Sequence, residues 1–355
     1  MNGIRHIRPV SPAAASGLVA RVYDQARRDF NVAPPIVLHS PVPDLLAGMW
    51  CVLRESVIAG RVPRALKEAL AAGVSRLNRC PFCIDAHTLM LAAAGQQAAA
   101  AAIAAGREEE VEDDATRRLL AWAAAHRSPG SPELAPPFPP PLSSDNTAEM
   151  IGTALAFHYI NRAAHVFLPE TPYPLQVGNG WAKGLLRRGA SRVFARSVTR
   201  SYTPGDSLAL LPDVELPPDL PWAAADPVIA GTYARFAASV DAAVQGALPD
   251  AVRDLVVARL TAWDGADPGL GMGWLEEAVA DLSKEDRPAG RLALLTAFAS
   301  YRVDDSTVAA YRTRYPEDRQ LVGAACWASY VAARQVGLWL WEAAYTPHHP
   351  LGDAG

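Results

Sequence analysis

The sequence predicts an all-α protein of two tandem helical repeats packed as an internal pseudo-dimer. Three observations carry that expectation. Alanine, leucine and arginine dominate long stretches in which apolar residues recur at i, i+3, i+4 and i+7. Alternating β-branched runs bounded by tight turns are almost absent, and Ser207-Leu-Ala-Leu-Leu-Pro212 is too short to build a sheet. Two blocks of the chain also resemble each other in the same order.

Taken along the chain, helices are expected over 16–31, 42–59, 63–77, 80–94, 115–126 and 146–167, where the helical spacing is sustained. The third follows Gly60-x-x-Pro63, a helix start with proline in the first turn, and the fourth has Pro81 at its first position. A turn-rich Ser128-Pro-Gly-Ser-Pro-Glu133 and the polyproline-like Ala135-Pro-Pro-Phe-Pro-Pro-Pro-Leu142 interrupt this block. Residues 169–220, rich in Pro, Gly and Arg, then separate it from the next; they read as a connecting segment across the surface. Within them Asn179-Gly-Trp-Ala-Lys-Gly-Leu-Leu-Arg-Arg188 fits one short basic helix, with partner docking as its alternative role. Helices resume over 226–245, 249–263, 273–282, 288–301, 306–315 and 318–344.

The internal repeat is specific. Gly60-Arg-Val-Pro-Arg-Ala-Leu-Lys-Glu-Ala-Leu-Ala-Ala72 aligns with Gly246-Ala-Leu-Pro-Asp-Ala-Val-Arg-Asp-Leu-Val-Val-Ala258, nine of 13 positions being identical or chemically similar. Farther on, residues 151–160 align with 322–331. In the first register Cys80 falls on Ala266, Cys83 on Gly269 and His87 on Gly273, so chemistry in those residues belongs to the first copy alone.

Composition narrows the class. A length of 355 residues is compatible with about two domains of ~150 residues. With 50% hydrophobic and 20% charged residues the chain can bury a core. A net charge of −4 gives no basic face for nucleic acid, and thirty arginines against three lysines (Lys67, Lys183, Lys284) read as coding bias. No apolar run approaches the ~18 residues of a membrane span; Gln97 to Ala105 is mostly alanine and too short. The N-terminus lacks the apolar stretch of a secretory signal, so a cytoplasmic location is expected. Four cysteines are too few for a disulfide scaffold, and in a reducing compartment a C-x-x-C reads as redox or metal chemistry.

That C-x-x-C lies in Glu68-Ala-Leu-Ala-Ala-Gly-Val-Ser-Arg-Leu-Asn-Arg-Cys80-Pro-Phe-Cys83-Ile-Asp-Ala-His87. With Pro81 at the first helical position, Cys80 is the cap and Cys83 stands in the first turn. The helix N-terminus favours an anion there and can depress a thiol pKa. His87, four residues after Cys83, shares its face. Glu68 arrives from the preceding helix, packed antiparallel through the turn at Leu77-Asn78-Arg79. The residues alone leave three readings: a redox pair, an inert structural pair, or a zinc site from Cys80, Cys83 and His87 with Asp85 or Glu68. Zinc would usually bring a second ligand pair, and no second C-x-x-C or H-x-x-x-H exists.

This pattern resembles the alkylhydroperoxidase D-like and carboxymuconolactone decarboxylase family, whose redox branch carries Glu, eleven residues, C-x-x-C, three residues, His. Glu68, Cys80, Cys83 and His87 meet every spacing, and the resemblance covers roughly residues 35–168. It implies an all-α fold and a peroxidase or disulfide reductase. Cys83 would be the peroxidatic thiol, Cys80 the resolving thiol, and Glu68 and His87 the proton relay. It also implies a hydroperoxide substrate, a protein or small-thiol reductant, and no cofactor or resident metal. A homo-oligomer is compatible with it. Some members carry a second histidine between the cysteines; here that position is Phe82, which leaves general dithiol–disulfide exchange open, and a redox-sensing or interaction protein is a further alternative. The expected division is 1–168 with the redox site, 169–224 as linker, and 225–355 as a degenerate repeat.

Other residues read as structural. His158 and His165 fall on similar faces of one helix and suit core or interface positions. His126, at a helix end, reads as a C-terminal cation, and His348 and His349 as exposed tail residues. Cys51 and Cys326 read as small core residues, and Trp327, Trp339 and Trp341 as packing. No phosphate loop, nucleotide fingerprint or G-x-S-x-G occurs.

Overall fold

In the computed structural model, residues 3–135, 143, 146–172, 189, 194–269 and 271–345 are described, and among them there are helices and no strand. The first half contains α1 (Gly17–Asp29), α2 (Pro34–Val37), α3 (Pro43–Val52), α4 (Arg64–Leu77), α5 (Pro81–Ala93), α6 (Gln97–Ala105), α7 (Asp114–Ala125) and α8 (Thr147–Phe167). The second contains α9 (Pro227–Ala243), α10 (Asp250–Thr261), α11 (Gly273–Ala278), α12 (Arg287–Ala299), α13 (Asp305–Arg312) and α14 (Asp318–Tyr345). Acidic caps start several of them: Asp113, Asp226 and Asp304 accept hydrogen bonds from Thr116 N, Val228 N and Thr307 N respectively. No helix among the described residues is long and apolar enough to cross a membrane.

The repeat is visible in the backbone. α4 and α10 begin at Arg64 and Asp250, each capped by a proline, Pro63 and Pro249. The glycine three residues before each proline adopts a positive φ, +110° at Gly60 and +70° at Gly246. A Cβ on Gly60 would also collide with the Glu149 carboxylate and the Lys67 ammonium. After the helix, Arg79 (φ +55°) and Gly265 (φ +89°), which correspond in the same register, both turn left-handed. α8 and α14 start at Thr147 and Asp318, as the second alignment requires. These corresponding elements meet: α8 packs on α14 and α3 on α9.

One hydrophobic core runs through that meeting. Tyr159 of α8 packs edge-on against Phe236 of α9 (ring centroids 5.0 Å apart), and Phe236 against Tyr330 of α14 (4.8 Å). Burial of such rings is the main driving force for holding the halves together. Cys51, Cys326, Trp327 and Trp339 are buried in it, as expected of packing residues.

Residues 203–222, the later part of the segment between the halves, are tied down more firmly than a surface connection. α3 continues as a π-turn, Leu53–Ile58. From it the buried Arg54 reaches Asp29 (2.8 Å), Glu55 (2.6 Å), Asp206 (3.0 Å) and the Thr203 carbonyl (3.0 Å). Glu55 accepts from Gly205 N, Ser207 N and Ser207 Oγ. Ser207, Leu220 and Trp222 are fully buried. Residues 208–210, too short for a sheet, form a 3-10 turn instead.

Helix α6 is the principal element that apolar spacing misses. An almost pure alanine run has high helix propensity but no contrasting stripe. The proline run 136–142, the basic segment 179–188, and His348 and His349 lie outside the described residues.

Candidate active site

Local rules place the sulfurs. The left-handed turn at Arg79 ends α4, and Cys80 N donates to Ser75 O (2.9 Å). Cys80 is then the extended N-cap of α5 and Pro81 its first residue. α4 and α5 pack side by side through this turn. The two sulfurs lie 2.9 Å apart as free thiols. His87, one turn beyond Cys83, brings Nδ1 to 2.6 Å from Glu68 Oε2, and Arg64 Nε donates to Glu68 Oε1 at 2.5 Å. The His87 ring also rests edge-on against Phe157, with centroids 4.3 Å apart. All four residues expected at the site therefore sit in one place.

Cys83 and His87 line a cavity of about 410 Å³ whose walls are otherwise almost wholly apolar, including Phe30, Ile36, Phe82, Met90, Ile160 and Phe194. Cys80 and Cys83 are both buried, at 1% exposure, and among the described residues this cavity is the opening onto Cys83.

Electrostatics split the site. Burial raises the Glu68 pKa, but the Arg64 guanidinium and His87 outweigh it, and the carboxyl is held below its ordinary value. Glu68 is therefore an anion that fixes the His87 ring through Nδ1. Cys83 does not show the depressed pKa that a helix N-terminus favours. Burial first, then the adjacent Cys80, push its thiol well above the ordinary value; a hydrogen bond from Asn161 opposes them. In the dithiol form, desolvation outweighs the helix dipole. Cys51 and Cys326, buried away from the site, are pushed up to about 12 by desolvation.

Behind the sulfurs lies a polar layer that motif spacing does not reveal. Asn161 of α8 donates from Nδ2 to Ser75 Oγ (3.0 Å) and accepts at Oδ1 from Asn78 Nδ2 (3.0 Å). Asn78 Nδ2 also lies 3.1 Å from His158 Nδ1, and His158 Nε2 is 3.2 Å from His126 Nδ1. His126 is thus no exposed helix-end cation. It is fully buried, and desolvation lowers its pKa to about 3, which overrides any dipole benefit. His158 is a core residue, and His165 bridges Ser300 Oγ and the Arg79 carbonyl between the halves. Among the described residues no group of three or more His, Cys, Asp or Glu side chains is arranged to hold a metal ion.

A helical hairpin with paired thiols at a helix cap and a carboxylate–imidazole pair beside them defines a class, and the carboxymuconolactone decarboxylase family model matches residues 43–125, the stretch that holds all four residues. The chain belongs to this family. It is similar over nearly its whole length to alkyl hydroperoxide reductase Rv2159c of Mycobacterium tuberculosis, with 41% identity over 345 residues covering 97% of each chain. No solved structure matches it.

Proposed function

We propose that this chain reduces organic hydroperoxides through a Cys80/Cys83 dithiol–disulfide cycle, with residues 1–168 carrying the site, 169–224 linking, and 225–355 serving as a degenerate packing repeat. One observation carries the reading: Cys83 and His87 share the wall of an apolar cavity while Cys80 stands 2.9 Å behind. The relative named an alkyl hydroperoxide reductase supports it.

In this cycle His87 Nε2 takes the Cys83 proton, directly or through water. The thiolate attacks the terminal oxygen of R–O–OH and the O–O bond breaks. The alkoxide takes the proton from the imidazolium and leaves as alcohol, with Cys83 oxidised to sulfenic acid. Cys80 sulfur then attacks Cys83 Sγ; the expelled hydroxide and the Cys80 proton leave as water, and a disulfide remains. A dithiol reductant, protein or small molecule, returns two electrons and two protons. The apolar lining favours a bulky organic group over hydrogen peroxide, whose polar surface gains nothing by entering.

The test is peroxide consumption with dithiothreitol as reductant. Cys83→Ser is expected to abolish turnover of cumene hydroperoxide, and Cys80→Ser to leave a sulfenic acid that dimedone labels at Cys83. Undiminished turnover in both variants overturns the proposal.

A further inference from the structure

A second cavity adjoins the one that holds Cys83, and its chemistry is the opposite. It measures about 440 Å³ and shares Phe30, Asn31 and Phe194 with the first. The Phe30 and Phe194 rings, 6.2 Å apart between centroids, mark where the two cavities meet. Beyond them the lining changes from apolar side chains to Arg27, Arg28, Arg196 and Arg200. Two of these are already paired, Arg27 with Asp24 (2.6 Å) and Arg28 with Asp29 (2.9 Å). Asp29, which lines the same groove, is also held by the buried Arg54 (2.8 Å). Arg196 and Arg200 are exposed, and among the described residues neither meets a carboxylate; the Arg200 guanidinium lies over the Tyr202 ring (5.2 Å). Two positive charges are thus left over at the edge of an apolar cavity, in a chain whose net charge is −4. The segment that carries them is fixed against the site helix. Residues 194–199 are helical, and Val198 packs with Leu89, Met90 and Ala93 of α5. Met90 follows Cys83 by seven residues, about 10 Å along the helix axis.

We propose that Arg196 and Arg200 form a carboxylate subsite, and that the hydroperoxide substrate is an acidic amphiphile: a long-chain carboxylic acid oxidised partway along its chain. The inference rests on the cycle above and names its substrate class. A guanidinium fork matches a carboxylate, and the pair is strongest where neither partner is already engaged. From that anchor the hydrocarbon crosses Phe30 and Phe194 and enters the apolar cavity, where leaving water is favourable. The orientation is fixed by cost. Turned the other way, the acid would bury its charge among apolar walls with no partner. The head therefore stays in the groove and the chain goes in first. The reach along α5, about 10 Å, then sets the O–O bond beside Cys83 well away from the carboxylate. A mostly apolar pocket with a few placed polar groups is the usual design of a small-molecule site. A neutral hydroperoxide fills the apolar cavity alone and gains nothing from the arginines.

The test compares two hydroperoxides that differ only in the charge of one end, that of linoleic acid and that of its methyl ester, with dithiothreitol as reductant. The wild type is expected to favour the acid about tenfold in kcat/KM, chiefly through KM, the order of one charge-assisted hydrogen bond. In the double variant Arg196→Gln, Arg200→Gln the two substrates are expected to become equivalent. Raising salt from about 0.05 M to about 0.5 M is expected to shrink the wild-type preference too, because exposed charges are screened. That second measurement decides the matter should the double variant fail to fold by circular dichroism. Binding of cis-parinaric acid, read by fluorescence with no peroxide present, is expected to weaken about tenfold in the double variant. Equal kcat/KM for acid and ester in the wild type, or parinarate binding unmoved by both substitutions and salt, overturns the proposal. A phospholipid hydroperoxide preferred over the free acid overturns the assignment to a free carboxylate. Arginine-dependent parinarate binding in a protein that turns over neither hydroperoxide sinks the cycle above and leaves the subsite standing.

Discussion

Residues 79–87 and 265–273 occupy equivalent places in the two halves, and they have diverged in an instructive way. Both follow a helix that starts after Gly-x-x-Pro, and both open with a left-handed residue, Arg79 or Gly265. After Arg79 the chain meets Cys80-Pro81 and enters a 13-residue helix. After Gly265 it runs through Ala266-Asp-Pro-Gly without helix among the described residues, and from Gly273 only six residues coil. The turn has been kept and the chemistry has not. What the second copy retains is docking: Asp267 binds Arg79 (2.6 Å) and Arg127 (2.7 Å) of the first half, bracing the turn that delivers Cys80. A Cβ on Gly265 would strike the Arg127 carbonyl, so that closeness requires glycine.

The sharpest way to break this comparison is to separate the halves. A fragment ending at Glu170 would expose the faces of α3 and α8 that now pack on α9 and α14. It is expected to be insoluble or to lack a cooperative thermal transition, because apolar residues of α3 and α8 now in the shared core would face water together. A soluble, cooperatively melting fragment would show that the second half is dispensable.

Acid should act mainly on the first half, since no histidine occurs among the described residues of the second. His39 and His165 are lowered to about 4 and His126 to about 3, each chiefly by desolvation. Their unfolded value is about 6.5, so below that pH the unfolded chain binds protons that the folded chain refuses. The stability these neutral rings contribute is complete above pH 6.5 and is lost between there and pH 3–4. Each accounts for up to about 2 kcal/mol by pH 5. Thermal melts at pH 7 and pH 5 are expected to show a clear drop, and a flat profile would mean that the rings are not held neutral.

A smaller effect separates two equivalent carboxylates. Glu68 is buried between Arg64 and His87, whereas Asp254, its counterpart on α10, is exposed. Glu68→Gln is expected to lower peroxide turnover about a hundredfold, the order of a lost acid–base group. Asp254→Asn is expected to leave the rate unchanged. Equal rates in the two variants would remove Glu68 from the relay.

Much of this geometry is legible in the sequence because it is local. Pro81 fixes where α5 starts, and that start places Cys80 at the cap, Cys83 in the first turn and His87 one turn on. Asn161 is not legible, because it lies some eighty residues beyond the motif and meets Ser75 and Asn78 only through tertiary packing of α8. His126 misleads for a related reason. Its helix end suggests a solvated cation, and only the packing of Trp122 and His158 around it reveals a neutral ring. α6 is hidden by its own alanines, which carry propensity without a pattern.

The cavity beside Cys83 has a kinetic consequence. On the proposed cycle, with Cys80 and Cys83 otherwise buried among the described residues, oxidant and reductant use this opening in turn. On the proposed cycle, alcohol leaves before any electron donor gains access, which dictates ping-pong kinetics with parallel double-reciprocal lines. An excess of a poorly reactive apolar occupant would then compete with both partners at once.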